Sequence, residues 1–145
     1  MRVIPDTNVW ITWSARAPED LSLGDRGDAL PFLATITLQE LWAGARSTAD
    51  RAYCERLLVE AQRHGKLLNP PAAAWILAGQ ALGVLAWRSP MGAARLRALR
   101  NDVLLAATAW AYDAAVMTHN HADFARIASI LPVRIVEPPR TEASF

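Results

Sequence analysis

Arg2-Val3-Ile4-Pro5-Asp6-Thr7-Asn8-Val9 begins as a short apolar run of strand length and breaks at a carboxylate. Thr7 to Trp13 continues as a helical stretch, with Val9, Trp10, Ile11 and Trp13 apolar. Strand, acid and helix in immediate succession are the repeating unit of a parallel sheet, whose sites form beyond the carboxyl ends of the strands. The pattern recurs downstream. Phe32 to Ile36 reads as a strand running into Thr37-Leu38-Gln39-Glu40, the spacing of a capping box ahead of Leu41 and Trp42. Ser47 or Thr48 caps a helix to about His64, Lys66 to Leu68 is a brief strand, and Pro70-Pro71 opens an apolar helix ended by Pro90. Helical runs follow from Met91 to Asn101 and, opened by Asp102, from Val103 to Tyr112. Ala114 to Thr118 is a strand, Asp123 to Leu131 a helix and Val133 to Val136 a last strand. Short strands apolar on both faces, alternating with helices, predict a three-layer α/β sandwich: a central, mainly parallel sheet flanked by helices. Ser14 to Pro31 mixes Pro, Gly, Asp and Arg without sustained periodicity and reads as a loop.

A length of 145 residues fits one domain, taken as residues 1–137, with 138–145 a frayed tail. With 52% hydrophobic and 20% charged residues, the composition excludes disorder. A net charge of +1 excludes capture of nucleic acid by a global basic field. All the basic residues but Lys66 are arginines, planar forks suited to phosphate or carboxylate. The single Cys54 has no partner for an internal disulfide, and no secretory signal opens the chain, so a reducing cytoplasm is the expected setting. The apolar stretch Ala72 to Trp87 would span roughly 24 Å as a helix, short of the ~30 Å hydrocarbon core. A buried or partner-facing helix is expected, not a membrane span.

Acids recur at strand exits and helix starts: Asp6, Glu40, Asp102 and Asp123. Each has a local explanation, as a helix cap, as the Glu of a capping box, or as a charge favourable to a helix dipole. Together they would crowd like charges unless something neutralises them, and a hard divalent cation with oxygen ligands is the simplest neutraliser.

At these residues the sequence resembles the PIN domain, the nuclease fold of VapC-type toxins from bacterial toxin–antitoxin pairs. Val3-Ile4-Pro5-Asp6-Thr7-Asn8-Val9 is similar to the family's opening strand and Asp-Thr/Ser-Asn/Ser. Thr37-Leu38-Gln39-Glu40-Leu41 with Gly44 resembles its second motif, and Asn101-Asp102-Val103-Leu104-Leu105-Ala106-Ala107-Thr108-Ala109 its third. Thr118-His119-Asn120-His121-Ala122-Asp123-Phe124 resembles the fourth, Thr-x-Asn-x-x-Asp-Phe. The motifs stand in family order. Pro5 replaces a common aliphatic residue, and His119 stands where the family often has Arg.

The resemblance implies a metal-dependent endoribonuclease acting as the toxin of a type II pair. In that reading Asp6, Glu40, Asp102 and Asp123 gather around one or two Mg²⁺ or Mn²⁺ ions. Asp6 and Asp102 bind directly; Glu40 and Asp123 act through water or complete a second ion. Thr7, Asn8 and Thr118 are polar supports, and RNA is cut to leave a 5′-phosphate and a 3′-hydroxyl. The implied partners are an antitoxin that wraps the toxin, an RNA substrate and a second copy of the chain, with DNA reached only through the antitoxin. Ala72–Trp87 and the set Trp10, Trp13 and Trp42 are the expected partner surfaces.

Arg95, Arg97 and Arg100 precede Asp102 and, with His119, are candidates for RNA phosphates; a solvated helix face accounts for the arginines equally well. Trp10, Trp42, Trp75 and Trp110 lie among apolar residues and read as core or interface. The His119/His121 pair lacks a nearby Cys and reads poorly as a transition-metal site, and Cys54 reads as structural. Two alternatives compete: a non-catalytic partner of the same fold in a DNA-binding repressor complex, and an aspartyl-phosphate phosphatase acting through Asp6. The second lacks an acid two residues on, where Asn8 stands.

Overall fold

The computed structural model describes residues 1–21, 23–24, 26–88 and 90–140. Its elements in chain order are β1 (Arg2–Pro5), α1 (Thr7–Arg16), β2 (Leu30–Pro31), β3 (Leu33–Ala34), α2 (Thr35–Gly44), α3 (Thr48–Arg63), β4 (Leu67–Leu68), α4 (Ala72–Arg88), α5 (Ala93–Ala111), β5 (Ala115–Met117), α6 (His121–Ala128) and β6 (Ile135–Val136). The main sheet has the order β2-β1-β5-β6, and every pairing in it is parallel. All of its carboxyl ends therefore lie along one edge. β3 and β4 form a separate parallel pair.

Alternation along the strands builds the layers. Val3, Ala115 and Met117 face one side with Val9 and Trp13 of α1, while Ile4 and Val116 face the other with α4, α5, Phe124 and Ile127. A further apolar cluster joins Trp10, Leu33, Leu38, Leu41, Tyr53 and Leu57, locking α1, α2 and α3 against β3. Pro5 is accommodated as the last residue of β1; the ladder resumes with the Asp6 N–H donating to the Met117 carbonyl at 2.9 Å.

Several expected boundaries move. The strand expected over Phe32–Ile36 is divided between the two sheets. The Phe32 N–H donates to Val3 and the Leu33 N–H to Lys66, because successive amides point to opposite edges. Thr35 and Ile36 already belong to α2, which has no side-chain cap. Thr37 is thus inside the helix, with its hydroxyl buried and unpaired, and the capping box is not formed. The two helices expected around Asp102 are one, α5, capped at Gly92. Continuous burial of Leu99 and of Val103 through Ala109 outweighs the weak helix propensity of Asn101 and Asp102. α1 runs on to Arg16, so the expected loop begins at Ala17, and it includes a bridge between Arg26 and Ala29. α6 starts at His121, two residues early, because Asn120 caps it. Of the expected tail, residues 141–145 lie outside the described residues. No described helix is long and apolar enough to cross a membrane.

Candidate active site

Asp6 is both a cap and a site residue. Its backbone is extended (φ −73°, ψ 173°), and its Oδ1 accepts the Val9 N–H at 3.2 Å, which starts α1 directly off β1. Its Oδ2 accepts the hydroxyl of Thr118, the residue after β5. β1 and β5 are adjacent strands, so this contact spans the centre of the sheet at its carboxyl edge. The Thr118 hydroxyl also accepts the Asn120 N–H at 2.9 Å. Asp6 and Thr118 are both buried.

Asn120 carries the chain from this centre into α6. Its carbonyl oxygen Oδ1 accepts the Asp123 N–H, and its Nδ2 donates to Asp123 Oδ2 at 3.1 Å. The other oxygen, Oδ1 of Asp123, accepts from Arg95 at 2.9 Å. The sequence reading had not assigned Asn120 a role in the site; the signal for it was an Asn three residues before an acid at a helix start. Arg95, expected to meet RNA phosphates, instead pairs with one of the acids. Arg97 and Arg100 are exposed and sit roughly 200° and 140° around α5 from Arg95, so neither shares its face.

Glu40 enters from α2. Its Oε1 accepts the Thr7 hydroxyl at 3.0 Å, which ties the first turn of α1 to α2. With the capping box absent, this contact replaces the local explanation for Glu40. Asn8 is exposed and does not join the hydrogen bonds around the acids.

Asp102 is mid-helix, so neither a cap nor a helix-start charge explains it. α5 returns antiparallel to β5, and Asp102 lies nine residues before its end, a rise of roughly 14 Å. β1 is four residues long, roughly 13 Å, so Asp102 comes level with the carboxyl edge. Burial, and after it the charges of Glu40, Asp6 and Asp123, push its carboxyl from 3.8 up to about 7. Acids from β1–α1, α2, α5 and α6 therefore share one electrostatic site.

Among the described residues, no three His, Cys, Asp or Glu side chains stand close enough as placed to hold a metal ion. Thr7 and Arg95 hold two of the four acids in their own contacts. The donor chemistry nevertheless fits a hard divalent cation. The four acids offer oxygen ligands, and Asp102 is partly buried among three carboxylates with no hydrogen-bond donor among the described residues. His121 turns to Glu137 at 3.3 Å and His119 is exposed, and the pair belongs to no metal-holding group among the described residues.

Fold and site together define a class: parallel α/β domains that collect carboxylates beyond the carboxyl ends of their strands. The chain belongs to the PIN domain family, whose model matches residues 3–130. Comparison with curated protein sequences returns no match. Solved structures with the same fold include the DNA-bound VapBC from Salmonella typhimurium, with 24% identity over 96% of this chain and 99% of that chain and a TM-score of 0.66. VapBC2 from Rickettsia felis, bound to a DNA fragment from its promoter, shows 19% identity over 94% and 98%, with a TM-score of 0.65. FitAcB from Neisseria gonorrhoeae shows 20% identity over 96% and 99%, with a TM-score of 0.63.

Proposed function

We propose that the chain is a divalent-metal-dependent endoribonuclease and the toxin of a type II toxin–antitoxin pair. The observation that carries this reading is the convergence of four acids, Asp6, Glu40, Asp102 and Asp123, from four separate segments. Such a cluster is costly without a cation and serves no packing purpose.

Asp6 and Asp102 would hold Mg²⁺ or Mn²⁺ directly, and Glu40 and Asp123 through water or with a second ion. A bound ion supplies Lewis acidity toward a phosphodiester and a water of lowered pKa. The chain's own residues orient the site. The Val9 N–H and the Thr118 hydroxyl each take one oxygen of Asp6 and fix its plane. Thr7 orients Glu40, and Asn120 orients Asp123.

Partner surfaces support the toxin reading. A cleft of about 510 Å³ between α1, α2 and α3 opens beside Glu40 and is lined by Ile11, Ala15, Leu41, Gly44 and Tyr53. It suits an apolar segment of an antitoxin. The indole sets are divided otherwise than expected. Trp10 is in the core, and Trp13 packs edge-on against it, so neither offers a free apolar face. Trp75 is 60% exposed, Ile76 62% and Trp110 43%, which favours α4 and α5 as the surface for a second copy of the chain. Contact with DNA is through the antitoxin, and the setting is the cytoplasm, where the buried Cys54 stays reduced.

The test is cleavage of RNA with purified Asp6→Asn and Asp102→Asn variants, their folding monitored by circular dichroism. Both lose metal-dependent cleavage while the fold survives. Full cleavage by either folded variant sinks the assignment.

A further inference from the structure

Two adjoining clefts lie beside the acidic centre and share Arg16, Pro139 and Arg140. The nearer, about 320 Å³, is completed by His119, His121 and Glu137. The farther, about 430 Å³, is completed by Trp13, Ala17, Arg26 and Gly27. The nearer cleft meets the acidic centre through the loop after β5: Thr118 bonds Asp6, His119 lines the cleft, and Asn120 bonds Asp123. The cations come from the end of α1, the turn at Arg26 and the segment after β6, so only the fold assembles them.

Their positions are set in advance. The Arg26 guanidinium lies 3.9 Å from the centre of the Trp13 ring and pairs with Asp20 at 3.6 Å. Arg16 and Arg140 stand exposed above it. Glu137, the one carboxylate among the described residues that line the clefts, is paired with His121 at 3.3 Å. Arg16, Arg26 and Arg140 thus bring three cations to a pair of cavities next to the site. Each cleft has the volume of a small-ligand pocket, too narrow for a duplex.

We propose that Arg16 and Arg140, with Arg26 fixed behind them, hold the phosphates of two successive nucleotides of single-stranded RNA on one side of the scissile bond. This rests on the ribonuclease reading and gives that site a direction: RNA leaves the carboxylates past His119 and runs toward Trp13.

Fluorescence anisotropy with a labelled, unstructured oligouridylate of about a dozen nucleotides tests it in the non-cleaving Asp6→Asn chain. The triple variant adding Arg16→Ala and Arg140→Ala binds at least about tenfold more weakly. Its log–log salt slope falls by about 1.4, two phosphate contacts on a single strand. Arg16→Lys with Arg140→Lys restores the slope, which a merely structural role for the two arginines would not. Unchanged affinity and slope in the alanine variant, absence of binding, or equal arginine-dependent binding of a duplex DNA overturns the cleft. Cleavage by the wild-type chain is scored separately. Cleavage with alanine-insensitive binding removes the cleft and leaves the nuclease; arginine-dependent binding without cleavage removes the nuclease and leaves an RNA-binding cleft.

Discussion

Replacing Asp102 by Asn should stabilise the metal-free protein while it destroys the proposed activity. In the fold the Asp102 carboxyl titrates at about 7, against 3.8 as its ordinary value. The folded state therefore holds a proton between about pH 4 and 7 that the unfolded chain has released, and stability falls as pH rises through that window. Above pH 7 the ionised group carries the full penalty. Three units correspond to about 4 kcal/mol as a ceiling. Asp102 is partly exposed, and screening by solvent brings the working figure to about 2 kcal/mol. For a chain of this length that is a shift in Tm on the order of 6 °C. Thermal unfolding in EDTA should show Asp102→Asn above wild type by this amount near pH 8. The gap should close toward zero as pH approaches 4, where the wild-type carboxyl is protonated in both states. A wild-type Tm equal to that of the variant at pH 8, or a gap independent of pH, would refute the convergence of the four acids.

Arg95→Ala should release Asp123 and remove a guanidinium held by one of the four acids, so Mn²⁺ binding measured by calorimetry tightens severalfold; unchanged affinity would mean that Arg95 does not compete with the ion. Ile76→Glu, placed on the exposed face of α4, should convert a dimer to a monomer in sedimentation equilibrium with folding intact, and a persistent dimer would move the interface elsewhere. Gly65→Val should cost about 1–2 kcal/mol in urea unfolding, because φ is +64° after the end of α3. Open space around that glycine leaves backbone strain as the only cause, and a neutral substitution would contradict the turn.

The periodicity of the strands was enough for the layered parallel fold, because apolar runs such as Val3-Ile4 and Ala115-Val116-Met117 are buried on both faces and demand helices above and below. Boundaries were less legible. Asn101-Asp102 looked like a helix start since both residues favour caps, yet the burial of Leu99 and Val103 carries α5 straight through. Glu40 carried a local signal, a capping box, that tertiary packing overrode by beginning α2 three residues earlier.

The sequence by itself determined which residues are acidic and that Asp6 and Asp123 follow strands, while it placed Asp102 at a helix start that the fold does not have; these are readings of neighbours in the chain. It also determined the fold class, since hydrophobic periodicity is local. Only the tertiary structure decided which charges meet. Thr118 reaches Asp6 because β1 and β5 are adjacent in register. Asp102 comes level with both because α5 runs back along the sheet. Arg95 turns to Asp123 while Arg97 and Arg100 turn away, and Arg16 and Arg140 face one cleft from opposite ends of the chain. Electrostatic interaction depends on distance through space, and sequence spacing does not encode that distance between separate elements.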